Sequence, residues 1–195
     1  MSKDKKTLIY EAALSLVYEN YDMSRIKVAD IAERASIGKG TVYEYFDSKE
    51  QVIGEALIYM FEKGVEEFQF DENVGFKETY LGFLRNISSM INRNMFEFMT
   101  LNKQDLDSHA TIKAIIVELI EQVRQRYIEI FEQLVDKSVQ ERIVKEKPSR
   151  FDWEIAVLSS MNCIFLYKQY GGKFYQLNNE EVLEKGYNTY VKLLN

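Results

Sequence analysis

The sequence predicts an all-α protein with a small three-helix N-terminal domain and a larger helical domain behind it. Three observations carry this reading. The 195 residues include one proline, Pro148, and nine glycines, too few breakers for the frequent turns of an all-β chain. Apolar residues recur at spacings of three and four over long windows, the period of an amphipathic helix. Between residues 27 and 46 two short apolar-periodic runs flank a tight polar connector, the plan of a helix-turn-helix.

Taken in order, Leu8, Ile9, Ala12, Ala13, Leu16 and Val17 mark a first helix over about 4–20. Val28, Ile31 and Ala32 mark a second near 27–34, and Ser36-Ile37-Gly38 turns the chain into a third from Lys39 to Phe46. Asp47 or Ser48 caps a long fourth helix reaching about Phe68, since either side chain can accept a free first-turn N–H. Asp71 to Gly75 is a polar break. Aromatic and methionine side chains then fill one or two helices between 76 and 102, and Asn102 to Ser108 forms another connector. A long helix is expected over about 109–137, a loop around Pro148, and helices near 150–170 and 179–194 separated by Gly171-Gly172. The chain carries no repeat and no low-complexity tract.

Composition narrows the function classes. The formal charge is −6, and residues 1–50 carry eight Lys/Arg against nine Asp/Glu. Neither part of the chain is a basic tail, so any nucleic-acid affinity rests on a few placed contacts rather than on a broad field. The single cysteine, Cys163, excludes an intramolecular disulfide and a cysteine zinc cluster, and is expected to be a buried small apolar residue. No run has the length of a secretory signal or a membrane span. A soluble, cytoplasmic protein without membrane contact is expected.

The most informative stretch is Val28 to Lys49, VADIAERASIGKGTVYEYFDSK. Its second short helix has the size to lie in a DNA major groove, where base edges are distinguishable. Gly38 and Gly40 lack side chains, so the backbone there can approach DNA. Lys27, Lys39 and Lys49 can neutralise phosphates. Thr41, Tyr43 and Tyr45 offer hydroxyl donors, while Val42 and Phe46 point inward as anchors. Glu44 is the odd residue. It can accept from cytosine N4, or sit at the groove margin and limit non-specific binding.

This stretch resembles the DNA-binding signature of the TetR family of bacterial regulators, through Ile31-Ala32, Ala35, Ile37, Lys39-Gly40-Thr41-Val42-Tyr43, Tyr45-Phe46 and Ser48-Lys49. Three positions depart from that signature. Ser36 replaces the turn glycine, Gly38 replaces the serine that opens the recognition helix, and Lys27 stands where threonine is common.

The resemblance implies a helix-turn-helix domain over 1–50 and a ligand-binding and dimerisation domain over 51–195. It also implies a homodimer on double-stranded operator DNA, with repression relieved by a small effector. For the dimer interface the expected residues are Trp153, Val157, Met161, Ile164, Lys168, Val182, Leu183, Tyr187, Tyr190 and Val191, whose two helices carry more apolar surface than one core flank needs. For the pocket they are Phe83, Ile87, Met90, Phe96, Met99, Ile116, Leu119, Ile120, Val123, Tyr127, Phe165 and Tyr167, a set suited to a hydrophobic or aromatic ligand such as a drug or a fatty acyl chain.

Other classes fare worse. Asp105, Asp107 and His109 are read as a solvated loop rather than a metal site, so neither metal nor cofactor is expected. The one histidine, His109, has Leu106 three residues before it, which rules out a paired Glu-x-x-His di-iron site. No triad, phosphate loop or dinucleotide glycine motif is present, so no catalytic residue is expected. An alternative keeps the DNA-binding domain but has the second domain bind a protein partner. A filled core with an exposed apolar patch would favour that adaptor over a sensor.

Overall fold

A computed structural model describes residues 4–19, 25–68, 70–91 and 110–195, with backbone alone at 110–120, 122–123 and 172–173. Every regular element among the described residues is helical: α1 (Lys5–Glu19), α2 (Val28–Arg34), α3 (Lys39–Tyr43), α4 (Lys49–Glu67), α5 (Phe76–Met90), α6 (Ala110–Gln140), α7 (Arg150–Phe174) and α8 (Asn179–Leu193). The all-α expectation holds. Two compact units are formed, Met1–Lys63 with Asn94–Arg124, and Gly64–Arg93 with Gln125–Asn195. The division falls within α4 and again within α6.

In the first unit α1 buries Ile9, Ala12, Ala13, Leu16 and Val17, while α2 buries Val28, Ile31 and Ala32. Val42, Phe46, Val52, Ile53 and Ala56 complete this core. Arg34 fastens the two helices through a two-pronged bond to the Glu19 carboxylate, at 2.8 and 2.7 Å, and a further bond to Ser15 Oγ. Ser48 Oγ accepts the Gln51 N–H at 3.1 Å and caps α4, as its sequence position predicts.

In the second unit α8 packs against α7 and α5. The approach is tight at Gly186. A Cβ there would stand 3.0 Å from Leu84 Cδ1 and 3.1 Å from the Ser160 carbonyl, so only glycine admits this crossing without a shift. Tyr80 and Tyr190 pack as a tilted pair with centroids 4.6 Å apart, and Phe83 meets Phe131 edge-on at 5.3 Å. Such ring pairs add to the area they bury. Ser149 caps α7, and Asn178 with Glu181 forms a reciprocal capping box on α8.

Two boundaries differ from expectation. α3 ends at Tyr43, and the chain continues to Phe46 as turns held by Tyr45 N–H and Phe46 N–H on the Val42 carbonyl. Gly171-Gly172 does not interrupt α7, which runs on to Phe174. Gly171 serves close packing instead. The Tyr167 ring lies where a Cβ would be, and its hydroxyl donates to the Leu177 carbonyl at 2.8 Å, tying down the connection to α8.

Candidate nucleic-acid interface

The turn between α2 and α3 places the recognition segment. Ser36 sits in the left-handed region at φ 56. Its N–H donates to the Glu33 carbonyl and that of Ile37 to the Ala32 carbonyl, both at 3.0 Å. This is a Schellman closure with serine where glycine is usual. The missing turn glycine is therefore met by the same backbone geometry, at the cost of a strained serine. α2 starts from Lys27, whose backbone N–H donates to Asp30 at 2.8 Å. The lysine side chain cannot accept, so only this half of a capping box forms, and the side chain is left exposed.

Gly38 opens α3 at φ −72, with no side-chain cap. Val42 and Phe46 are buried, as expected. Gly38, Lys39, Gly40, Tyr43, Glu44 and Tyr45 all lie on the exposed side, with Thr41 half-buried beside them. Tyr43 is 50% exposed, and Lys39 Nζ stands 5.8 Å from its ring centroid. Lys49 is less free than expected, being half-buried with its Nζ 3.6 Å from Glu50. The outward face thus combines cations at Lys27 and Lys39, three hydroxyls, one carboxylate and two glycines. That set can neutralise phosphates and read base edges.

Behind this face lies a polar cluster that hydrophobic periodicity does not reveal. The Glu55 carboxylate receives the Tyr10 hydroxyl at 2.6 Å, Lys6 Nζ at 3.0 Å and Gln51 Nε2 at 3.0 Å. Gln51 Oε1 in turn accepts the Asp47 N–H at 2.8 Å. The Tyr10 ring packs on Phe46 at 5.7 Å and on Tyr59 at 5.4 Å. Burial works to raise the Glu55 pKa, but bonds from Tyr10, Lys6 and Gln51 together hold it below the ordinary glutamate range. Burial first, then the Glu55 bond, pushes the Tyr10 hydroxyl up to about 12. The only sequence signals were the i,i+4 pairs Lys6–Tyr10 and Gln51–Glu55.

The second unit redistributes the expected sensor residues. Trp153, Val157, Ile164, Val182, Leu183 and Tyr190 are buried within the chain's own fold, and so are not free for a partner. Met161, Lys168, Tyr187 and Val191 are half-buried. The physical reason is that α7 is apolar on two sides. Its exposed side carries Phe151, Ile155, Leu158, Leu166, Tyr170 and Phe174, at helical spacing.

Of the expected pocket residues, Phe83, Ile87 and Met90 are packed core, with Met90 seated over Gly64. Phe165 and Tyr167 are half-buried on α7. Tyr127 is half-buried, but its hydroxyl is fully covered, has no hydrogen-bond partner among the described residues, and is pushed by burial up to about 12. Phe96 and Met99, and the side chains of Ile116, Leu119, Ile120 and Val123, lie outside the described residues. So do Asp105, Asp107 and His109. A groove of about 320 Å³, lined by Glu67, Phe68, Asp71, Val74, Glu78, Thr79, Gly82 and Asn86, includes none of the expected pocket residues. Cys163 is half-buried rather than buried, its Sγ 3.7 Å from Thr189 Oγ1. Among the described residues there is no cluster suited to a metal ion, and no helix long and apolar enough to cross a membrane.

Residues 9–56 match the profile of bacterial regulatory proteins of the tetR family. No curated protein sequence matches the chain. Among solved structures, a TetR family protein from Vibrio parahaemolyticus, described as a putative transcriptional regulator, is 22% identical. Its TM-score is 0.66, with 95% of this chain and 98% of that one covered. FadR from Bacillus subtilis, a transcriptional regulator solved in complex with stearoyl-CoA, is 17% identical, with TM-score 0.67 and 97% of each chain covered. The fatty acid degradation regulator FadR from Bacillus halodurans is 14% identical, with TM-score 0.70, covering 100% of this chain and 97% of that one. The helix-turn-helix over 9–56 is thus of the tetR type, and the all-helical fold is shared with these structures along nearly the whole chain.

Proposed function

We propose that the chain is a homodimeric repressor that binds a partly palindromic operator and releases it when an apolar effector binds the second unit. The observation that carries the DNA-binding part is the outward face of α3. Lys39, Tyr43, Glu44 and Tyr45 stand exposed over the buried anchors Val42 and Phe46. Two such faces, one per subunit, would enter successive major grooves. Lys27 and Lys39 would meet phosphates, Tyr43 and Tyr45 phosphates or base edges, and Glu44 an exocyclic amine. The exposed side of α7, from Phe151 to Phe174, is the surface assigned to the second copy, because an apolar stripe of that length is costly to leave in water.

The effector assignment rests on the orphaned Tyr127 hydroxyl and on the apolar character of the expected walls. A buried polar group without a partner needs a reason, and an effector with a polar end would supply its hydrogen bond. The stearoyl-CoA bound to the Bacillus subtilis FadR makes a long acyl chain the first ligand class to try. A ligand acts only through its different affinity for the two states, here taken as two positions of α4.

The test is selection of duplexes from random and genomic DNA by the purified protein. Fluorescence anisotropy against scrambled DNA then follows at two salt concentrations, with stearoyl-CoA titrated into the complex. Sequence-dependent binding by a dimer, weakened by the acyl ligand, supports the reading. No selected sequence counts against the operator. Binding unaffected by acyl ligands removes that effector class and favours the adaptor, for which the exposed α7 stripe would be the docking face.

A further inference from the structure

The geometry points to Glu55 as the positioning residue of the DNA-binding unit, holding the end of the recognition segment to α1 and α4 through an unbroken chain of hydrogen bonds. This inference rests on the operator-binding reading of α3. Three donors converge on one carboxylate. Tyr10 and Lys6 come from α1, and Gln51 comes from one turn earlier on α4. Gln51 passes the chain on by accepting the Asp47 N–H, the amide directly after the buried anchor Phe46. Rings run in parallel with this path. Tyr10 contacts Phe46 and Tyr59, and Lys6 Nζ lies 5.4 Å from the Phe46 ring and 5.6 Å from the Tyr10 ring.

The consequence is local rigidity where the fold has little else to supply it. α3 has five residues, too few to be stable alone. Its exit runs through turns from Glu44 to Ser48. Without the Glu55 chain, that exit would be held by the Phe46 side chain, the turn bonds and the Ser48 cap. Bonds to an ionised acceptor are stronger than neutral ones, and the buried flank of Glu55 limits competition from water. Side chains that read bases must be held to within fractions of an ångström. None of Glu55, Gln51, Tyr10 or Lys6 is assigned a DNA contact, so their effect on sequence discrimination would pass through α3.

The experiment uses the full-length chain with Glu55→Gln and, separately, Gln51→Met. The glutamine keeps the shape of Glu55 but turns a donor toward donors. The methionine cuts the link to Asp47 and leaves Glu55 bonded to α1. Duplexes selected by the wild-type protein and scrambled duplexes serve as probes. The ratio of the two affinities is read at 25 °C, with folding checked by circular dichroism. Both variants are expected to lose on the order of tenfold in that ratio. The slope of affinity against salt should stay the same, because phosphate contacts remain. Amide exchange without DNA should quicken over 39–51 and stay unchanged over 179–193.

An unchanged ratio in both folded variants overturns the positioning role. So does exchange that quickens throughout the chain, since that marks a general loss of stability. If the wild-type protein selects no sequence, the operator reading fails in that arm, before any variant is compared, and the positioning role falls with it.

Discussion

The indole of Trp153 packs edge-on against the Phe131 ring, 5.9 Å between centroids, while Phe151, two residues earlier on α7, is 71% exposed. One helix therefore serves two apolar surfaces, an inner one that closes the second unit and an outer one that a single chain leaves in water. The two surfaces make opposite predictions. Trp153→Ala removes a buried aromatic and is expected to cost about 3–5 kcal/mol in chemical denaturation. Leu158→Glu, at a position 58% exposed, should leave monomer stability within about 0.5 kcal/mol and convert a dimer to monomers in sedimentation velocity. A Leu158→Glu protein that remains dimeric would move the interface elsewhere.

Ser36 and Arg142 are the two non-glycine residues with positive φ among those described, at 56 and 59°. Both follow helix ends closed in the same way. Beyond α6, Arg142 N–H reaches the Val139 carbonyl and Ile143 N–H the Ser138 carbonyl. Left-handed backbone costs a side-chain-bearing residue about 1–2 kcal/mol, part of which glycine returns as extra freedom in the unfolded chain. Ser36→Gly and Arg142→Gly are each expected to stabilise by about 0.5–1 kcal/mol. Urea midpoints would measure this, and a lower midpoint in either variant would show that the side chain contributes more than the strain it causes.

These same positions explain what the sequence conveys and what it hides. The helices were legible because apolar spacing reports burial directly, and the outward face of α3 was legible because Val42 and Phe46 mark its inward one. Breaker residues misled at Gly171-Gly172, where a helix break was expected and none occurs. Ser36 and Arg142 turn the chain without glycine, while Gly171 lies inside a helix with the Tyr167 ring packed against it. Trp153, expected at a partner surface, is instead buried in the chain's own core. Periodicity finds the apolar faces of α7 but does not say which one the chain itself covers. The Glu55 cluster was hidden because its partners, Tyr10 and Lys6, are 45 and 49 residues away along the chain.

Tyr80 is fully buried, and its hydroxyl, like Ser160 Oγ, meets no partner in hydrogen-bond geometry among the described residues. Burial drives its pKa far up, and nearby Ser160 only partly offsets this. An unsatisfied buried hydroxyl costs about 1–3 kcal/mol. Tyr80→Phe keeps the ring contact with Tyr190 and is expected to be neutral or to stabilise by up to about 1 kcal/mol. A clear loss of stability in calorimetry would mean that the hydroxyl is satisfied, a bridging water being the natural candidate.

Besides Tyr80, Tyr10 and Tyr127 should hold their protons well into alkali. Tyr10 is raised to about 12 by burial and by its bond to Glu55, and Tyr127 to about 12 by burial. A raised tyrosine pKa means that the fold favours the neutral phenol. This contribution is fully present below the unfolded value of about 10. It is lost as pH rises through about 12. At about pH 11, between those limits, absorbance at roughly 295 nm should show both groups un-ionised in the folded protein. Tyr127→Phe should leave the folded signal unchanged and lower the unfolded end-point by one tyrosinate. A drop in the folded signal would mean that Tyr127 reaches water, and would withdraw it as a buried anchor for an effector.

Gly40 separates folding from DNA binding most cleanly. It lies within α3, and an added Cβ would meet nothing within 4 Å inside the chain. Alanine is the better helix former by about 1 kcal/mol, so Gly40→Ala should raise the urea midpoint. The same methyl group would stand on the outward face between Lys39 and Thr41, where the backbone is expected to approach DNA. There it should weaken binding to a selected duplex by on the order of tenfold, about 1.4 kcal/mol. A protein both more stable and poorer at binding would locate the DNA contact at this turn of α3. Equal or tighter binding would show that the groove lies farther from the backbone than the glycine implies, and would shift the contact toward Tyr43 and Tyr45.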